Sequence, residues 1–483
     1  MPGVVVKTGA VAGPSAPTLA PASTYFAVGL AERGATDKAV LVNSFAEYQA
    51  AFGLSTSYSA LYDDLKMFFE EGGTRAYVAR VVGGAATIGT LTAGLVDRAV
   101  SPIATLNVTA RNAGAWASRI QISVLAGATA TTFRLQVLFD GKIVSDYTNL
   151  HTPQEAVSRT SGDAYVKFTD AASATAAPNN NPAVAGPLTV TAGTDDRGAV
   201  VAADYVTALV RFEIGLGDGA VAIPGIGPTV HAGLIAHADA NNRIALLVEA
   251  RTADKATLTG TAGALDALRA GLFAPWVRVP DGFGGTKTIS PEGYVAAARA
   301  KAHAIGPWKA AAGEDSKARY VVAPDVVYTA AEGNDLDGAK VNVIRTVAGR
   351  VRLYGWRSLS ADFDNWGYLQ NADVVNRVVT QAYAQLEPYI FDVIDAKGHL
   401  LGKIEGTLTG IVIPMADADG LFARYADDSS LVDPGYRVTV SGTLNPVASL
   451  AQNQVLATLG IRVSPTAALV QLTVTKAAVT AAL

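Results

Sequence analysis

Cysteine is absent from the chain, which rules out disulfides, thiolate metal ligands and cysteine nucleophiles in any compartment. Stability has to come from packing or from assembly with other chains. Histidine is nearly as scarce. The five residues, at positions 151, 231, 237, 303 and 399, fall in no HExxH run and in no other spacing of a metal site, so neither a metal nor another cofactor is expected. A dominant charge of one sign is also missing. With 38 Lys and Arg against 42 acidic residues the net charge is −4, too weak a field to gather a polyanion, and direct nucleic-acid binding is not expected. No stretch approaches the ~18 uninterrupted apolar residues of a membrane-spanning helix. The opening MPGVVVKTGAVAG has no long apolar h-region of a secretory signal, so cytoplasmic synthesis without membrane insertion is the expectation.

What the chain does have is apolar residues, at half of its 483 positions, and turn formers, with 47 glycines and 21 prolines. That composition belongs to a turn-rich globular protein, and its length to about three domains. Over 25–82 the pattern is compact α/β. Ser44 and Glu47 make a capping box ahead of Phe45, Tyr48 and Phe52, and Leu61, Leu65, Phe68 and Phe69 follow at helical spacing. From 104 to 194 the period changes to two: Ile120, Ile122 and Val124 alternate with polar residues, as do Phe133, Leu135 and Val137, and Asp140-Gly141 predicts a hairpin turn. The low-complexity run from Ala171 reads as an exposed loop or linker. Beyond a boundary near Asp195, Asp204 is expected to cap a helix, RIALLVEA and RYVVAP to form buried strands, and Ser290-Pro291 to open a helix. In the last third Val375, Val378, Val379, Ala382 and Leu386 line one helical face, and TLTGIVI, YRVTV and LVQLTVT read as strands.

Chemical motifs are few. There is no G-x-S-x-G elbow for a hydrolase nucleophile. GFGGTKT at 282–288 has threonine before Lys287 where a phosphate-binding loop requires glycine. GLGDG at 215–219 follows a predicted helix and fits a helix C-terminal turn, and DADG from Asp417 is a surface turn. Tyr354, Trp356, Arg357 and Trp366 form the densest patch of aromatic and basic residues, which is either an interface hot spot or core plus a salt-bridged loop. The ends are nearly uncharged: Lys7 is the sole charged side chain before Glu32, and Lys476 the sole one after Arg462. Strand-forming runs there, at Val4, Val5 and Val6 and at Leu469, Val470, Leu472 and Val474, need partners. They pair within their own subunit, or they add to a neighbour's sheet.

Three segments occur in order: PGVVV, then PASTYFAVGLAERGATDKAVLVNSFAEYQAAFG, then LKMFFEEGGTRAYVARVV. With LNVTARNAGAWASRIQISV, IPGIGPTVHAGLIAHADANNRIALLVEA and the stretch from NVIRTVAGRVRLYGWRSL to EPYIFD, the chain resembles the contractile tail sheath family of bacteriophages and related injection machines. The resemblance implies an α/β multidomain fold. Its α+β core would be built from the N- and C-terminal regions (25–98 and 336–465), with an inserted small β domain (99–195) and an inserted doubly wound α/β domain of subtilisin-like topology (196–335). Residues 1–24 and 466–483 would be arms exchanged as strands between subunits. It further implies a non-enzymatic homo-oligomer of stacked six-fold rings forming a helical sheath around a tail tube protein. Baseplate and tail terminator proteins would be further partners, and contraction would drive the tube through the host envelope for genome ejection from a virion assembled in a bacterial cytoplasm. A DNA-free injection system or bacteriocin is the nearest alternative reading. A subtilisin-like hydrolase is the alternative of a different class, and the chain has no G-T-S run to carry its serine.

Overall fold

The computed structural model describes residues 23–468; the strand runs expected at Val4 to Val6 and from Leu469 to Val474 lie outside them. The chain divides into two compact units. One joins the described residues up to Lys301 to residues 311–369, and the other joins 302–310 to the described residues from Gln370 onward.

The first unit is organised by an eight-stranded sheet of β1 (Tyr25–Gly29), β2 (Val40–Val42), β3 (Ala76–Arg80), β4 (Gly219–Ala222), β5 (Arg243–Val248), β6 (Ala270–Ala274), β7 (Val341–Val347) and β8 (Arg350–Leu353), in the order β8-β7-β6-β5-β4-β1-β3-β2. The six inner strands run parallel, and β2 and β8 close the two edges antiparallel. Strands β4, β5 and β6 are buried along their whole length, which is why their sequences, apart from Arg243 at the start of β5, are continuous apolar runs without alternation. Strand order reverses at β1, the doubly wound arrangement.

This sheet unites segments that the sequence reading kept apart, 25–98 on one side and 196–335 on the other. Tyr25, Phe26 and Ala27 pair with Ala76, Tyr77 and Val78 on one flank and with Ala220, Val221 and Ala222 on the other. All five residues of β1 are buried. A buried strand has to pair both of its edges, and residues 25–98 supply a neighbour for only one. Strands β7 and β8 extend the same sheet, whereas the residues after Leu369 belong to the other unit.

Local signals are realised as expected at several points. Ser44 Oγ accepts the Glu47 N–H at 3.2 Å and caps the Phe45–Phe52 helix. Asp140 and Gly141 both take positive φ, 50° and 74°, the geometry of a tight hairpin between strands Phe133–Phe139 and Lys142–Leu150. Ile120, Ile122, Val124, Phe133, Leu135 and Val137 are fully buried in a second core, which extends from Leu95 to Val190 between two four-stranded sheets.

The run from Ala171 is the exposed loop expected, but it is anchored at points: Ser173 and Thr175 hydroxyls donate to Asp97 Oδ2 at 2.6 and 2.7 Å, and buried Asn181 donates to the Thr131 and His151 carbonyls. Other expectations fail for identifiable reasons. Asp204 is no N-cap. Its carboxylate reaches back to the Val201 N–H at 2.8 Å, three residues into the Ala202–Ala208 helix. RYVVAP forms only a two-residue strand, Ala323–Pro324, antiparallel to Val277–Pro280. The backbone N–H groups of residues 319–321 go instead to the Glu71 carboxylate at 2.8, 2.8 and 2.9 Å.

In the second unit, helices Leu369–Leu386 and His399–Asp417 supply most of the core, with Val374, Val378, Leu400, Ile404, Leu408, Ile411 and Met415 buried. TLTGIVI, expected as a strand, lies inside the latter helix. Leu400, Ile404, Leu408, Ile411 and Met415 recur at three and four residues, and that period prevails over the β-branched composition of the short run. On the first helix the buried stripe runs through Val374 and Val378, leaving Val379 exposed. Two two-stranded sheets complete the unit: Arg424–Tyr425 with Leu431–Asp433, and Tyr436–Thr439 with Thr458–Ile461.

Candidate functional site

Of the four residues singled out from the sequence, Tyr354, Trp356 and Arg357 fall on the loop after β8 and Trp366 ends the short Phe363–Trp366 helix that follows, and they do not form a common exposed surface. Trp356 is core, 2 % exposed, with its ring 5.8 Å from that of Phe273. Arg357 makes a bidentate pair with Asp337 at 3.0 and 2.6 Å and lies over the rings of Phe363 and Tyr368. Trp366 is half-buried. Only Tyr354 faces outward, 51 % exposed, with the Arg345 guanidinium over its ring.

The residue that holds this loop is Asn342, on β7. Fully buried, it accepts the Arg357 N–H at 2.5 Å and donates to the Arg357 carbonyl at 2.9 Å, as a paired strand would. Sequence reasoning assigned Asn342 no role. Its signal was a polar residue among the apolar Val341, Val343 and Ile344, which has to find partners when buried.

Buried arginines do the same work elsewhere. Arg80 donates to the carbonyls of Ala31, Gly34 and Ala113 at 2.9 to 3.1 Å, joining the turn after β1 to the neighbouring β sheets. Arg33 packs its guanidinium over Trp116, Phe139 and Tyr165. Arg243 donates to the Gly217, Phe212 and Glu213 carbonyls and lies 3.9 Å from the centre of the Phe26 ring. Burial and the Arg243 charge push the His237 imidazole down to about 4, so it is neutral at pH 7.

The histidines do not converge. His231 Nε2 lies 2.9 Å from the Val248 carbonyl, His237 contacts Arg243, His303 pairs with Asp373, and His151 and His399 sit beside acidic residues four positions away. Among the described residues no group of three or more His, Asp or Glu side chains could hold a metal ion, and no helix is long and apolar enough to cross a membrane. The pocket at the C-terminal ends of β5 and β6, lined by Glu249, Trp276 and Tyr328, has room for about one water molecule.

Exposed apolar side chains are dense in the second unit. Ile390, Phe391 and Val393 lie close together on the loop between its helices, with Phe391 held at φ 68° and fully exposed. Tyr383, Phe422, Tyr425, Leu431, Val432 and Val447 are exposed as well. Both two-stranded sheets present strand edges with no strand partner among the described residues. Such edges and side chains are poor solvent-facing surface and good contact surface.

No family model and no curated protein matches the sequence. Solved structures do match. The sheath tail protein of Listeria innocua is 15% identical, with 88% of this chain and 89% of that one covered and a TM-score of 0.63. The sheath tail protein of Desulfitobacterium hafniense is 16% identical, over 91% and 93% of the two chains, with a TM-score of 0.57. The anti-feeding prophage helical sheath in its contracted state is 13% identical over 99% of both chains, with a TM-score of 0.57. This mixed α/β, multi-sheet chain has the fold of contractile sheath proteins.

Proposed function

We propose that the protein is the structural sheath subunit of a contractile tail, polymerising as stacked six-fold rings around an inner tube and seated on a baseplate below and a terminator above. The observation that carries this reading is the second unit, in which exposed apolar side chains and unpartnered strand edges gather on about a hundred residues. An isolated two-stranded sheet is marginal in water and gains most from further strands. The uncharged runs at Val4 to Val6 and at Leu469, Val470, Leu472 and Val474 have the composition such an edge accepts, and we assign them to strand exchange between copies. On the Leu369–Leu386 helix, Val379 and Tyr383 stand one turn apart and exposed, and we assign this face to the tube.

Contraction needs no nucleotide when the free energy resides in two packings of the same subunits. The subunit is then a scaffold with neither catalytic residues nor cofactors, and a serine-reactive probe should leave it unlabelled. The destination we favour is a phage virion, with ejection of the genome through the host envelope. A second reading, a DNA-free injection system, draws support from the sheath and baseplate structures of the anti-feeding prophage, which span 99% of both chains. Negative-stain microscopy of the purified protein tests the common claim: striated tubes of uniform width are expected, and a stable monomer at high concentration would refute it. Particles recovered from the producing cell separate the two readings by whether a DNA-filled head is attached.

A further inference from the structure

Two carboxyl groups lie buried near one another in the first unit, linked through Gly293, the residue after one of them, and the proposed sheath function makes no use of them. Asp64, on the Leu61–Glu70 helix, and Glu292, the first residue of the Glu292–His303 helix, are each 1 % exposed. Asp64 accepts the Tyr25 hydroxyl at 2.8 Å and the Gly293 N–H at 2.6 Å. Glu292 accepts the Gly225 N–H at 2.9 Å through Oε1, while its Oε2 is buried without a hydrogen-bond partner. The contact leaves no slack: a Cβ on Gly293 would lie 2.3 Å from the Asp64 carbonyl oxygen.

The groups facing the pair offer no countercharge. From β1 comes the Tyr25 phenol, and from the Phe45–Phe52 helix the phenol of Tyr48. The Leu61–Glu70 helix adds Asp63, which is already bound to Lys287 at 2.6 Å, and the turn before Glu292 adds the Ser290 hydroxyl. Neither Asp64 nor Glu292 is paired with a cation among the described residues. Burying one unpaired carboxylate is already costly, and burying two at one junction is more so.

We infer that Asp64 and Glu292 form a proton-binding clamp, sharing at least one proton at neutral pH, whose loss in alkali loosens the junction of the two helices and the Gly225 turn. Burial raises both carboxyl groups, repulsion from Glu292 and then Asp63 raises Asp64 further, and Glu292 is pushed up to about 7. The sign follows from linkage. A folded carboxyl that holds its proton more tightly than the unfolded one gives stability that is complete below the ordinary value of 4.5 and is lost as pH rises to about 7. A gap of that size corresponds to a roughly 300-fold rise in the unfolding equilibrium constant across the window.

The test uses the full chain. Thermal unfolding of wild type, Glu292→Gln and Asp64→Asn is followed from about pH 5 to about pH 9, together with the infrared band of protonated carboxyl groups in the native wild type. The expected result is a wild-type melting temperature that falls from about pH 5 to about pH 7 and then levels off, a flatter profile in Glu292→Gln over that window, and a protonated-carboxyl band that persists at pH 6 and disappears as the pH passes about 7. A Glu292→Gln profile that follows wild type would overturn the inference. So would absence of the band at pH 6, which requires no variant to fold. Restoration of alkaline stability by millimolar magnesium or calcium chloride would put a cation in the proton's place and overturn it as well.

Discussion

Removing residues 469–483 leaves all the described residues of the subunit in place, including Thr466, whose hydroxyl oxygen accepts from Gln370 Nε2 at 3.0 Å. It takes away only the segment proposed to pair with a neighbouring copy. The acceptor we assign is the sheet of Tyr436–Thr439 and Thr458–Ile461, four residues per strand. Along an edge of that length a new strand makes about four backbone hydrogen bonds, each contributing a net ~0.5 to 1.5 kcal/mol, or ~2 to 6 kcal/mol per contact. At 1.4 kcal/mol per tenfold, association weakens by a factor between about 30 and about 20,000 at each contact. The truncated protein should therefore sediment as a monomer at concentrations where the full chain forms tubes, with an unchanged melting temperature. Tubes of normal yield and width from the truncated chain would refute the strand-exchange argument. A fall in melting temperature equal to the lost association would mean that the segment had paired within its own subunit.

Three further outcomes follow from particular contacts. Glu71→Ala strands three backbone N–H groups at residues 319–321; at ~1 to 3 kcal/mol for each buried unpaired group the loss should be at least ~3 kcal/mol, read as a lower urea midpoint, and Glu71→Gln should recover part of it. Leu135→Ala, at a fully buried position in the second core, should cost ~2 to 5 kcal/mol in thermal unfolding. Phe391→Asp changes a side chain with no cover among the described residues, so it should leave the unfolding free energy within about 0.5 kcal/mol of wild type while reducing tube formation in electron micrographs.

Local chemistry was legible wherever a few neighbouring residues decide the outcome. The Ser44 and Glu47 cap, the Asp140-Gly141 hairpin and the alternation from Ile120 to Val124 depend on contacts within a dozen positions, and each appears in the structure. TLTGIVI was misleading because seven residues cannot separate a strand from one stretch of a longer helix. The period that decides runs from Leu400 to Met415. Asn342 was passed over for a similar reason: its partner, Arg357, lies fifteen residues along the chain, and only the turn at 348–349 brings the two together.

The sequence alone determined what the protein could not be and where its apolar stripes and turns lie, because composition, capping and short-range periodicity are properties of the chain itself. Which strands became neighbours was decided by the tertiary structure. β1 satisfies one edge with β3 and the other with β4, some 195 residues away, and no local pattern specifies a partner at that distance. The same holds for the Asp64 and Glu292 clamp. Two carboxyls more than two hundred positions apart become a single titrating unit only when folding removes the water between them.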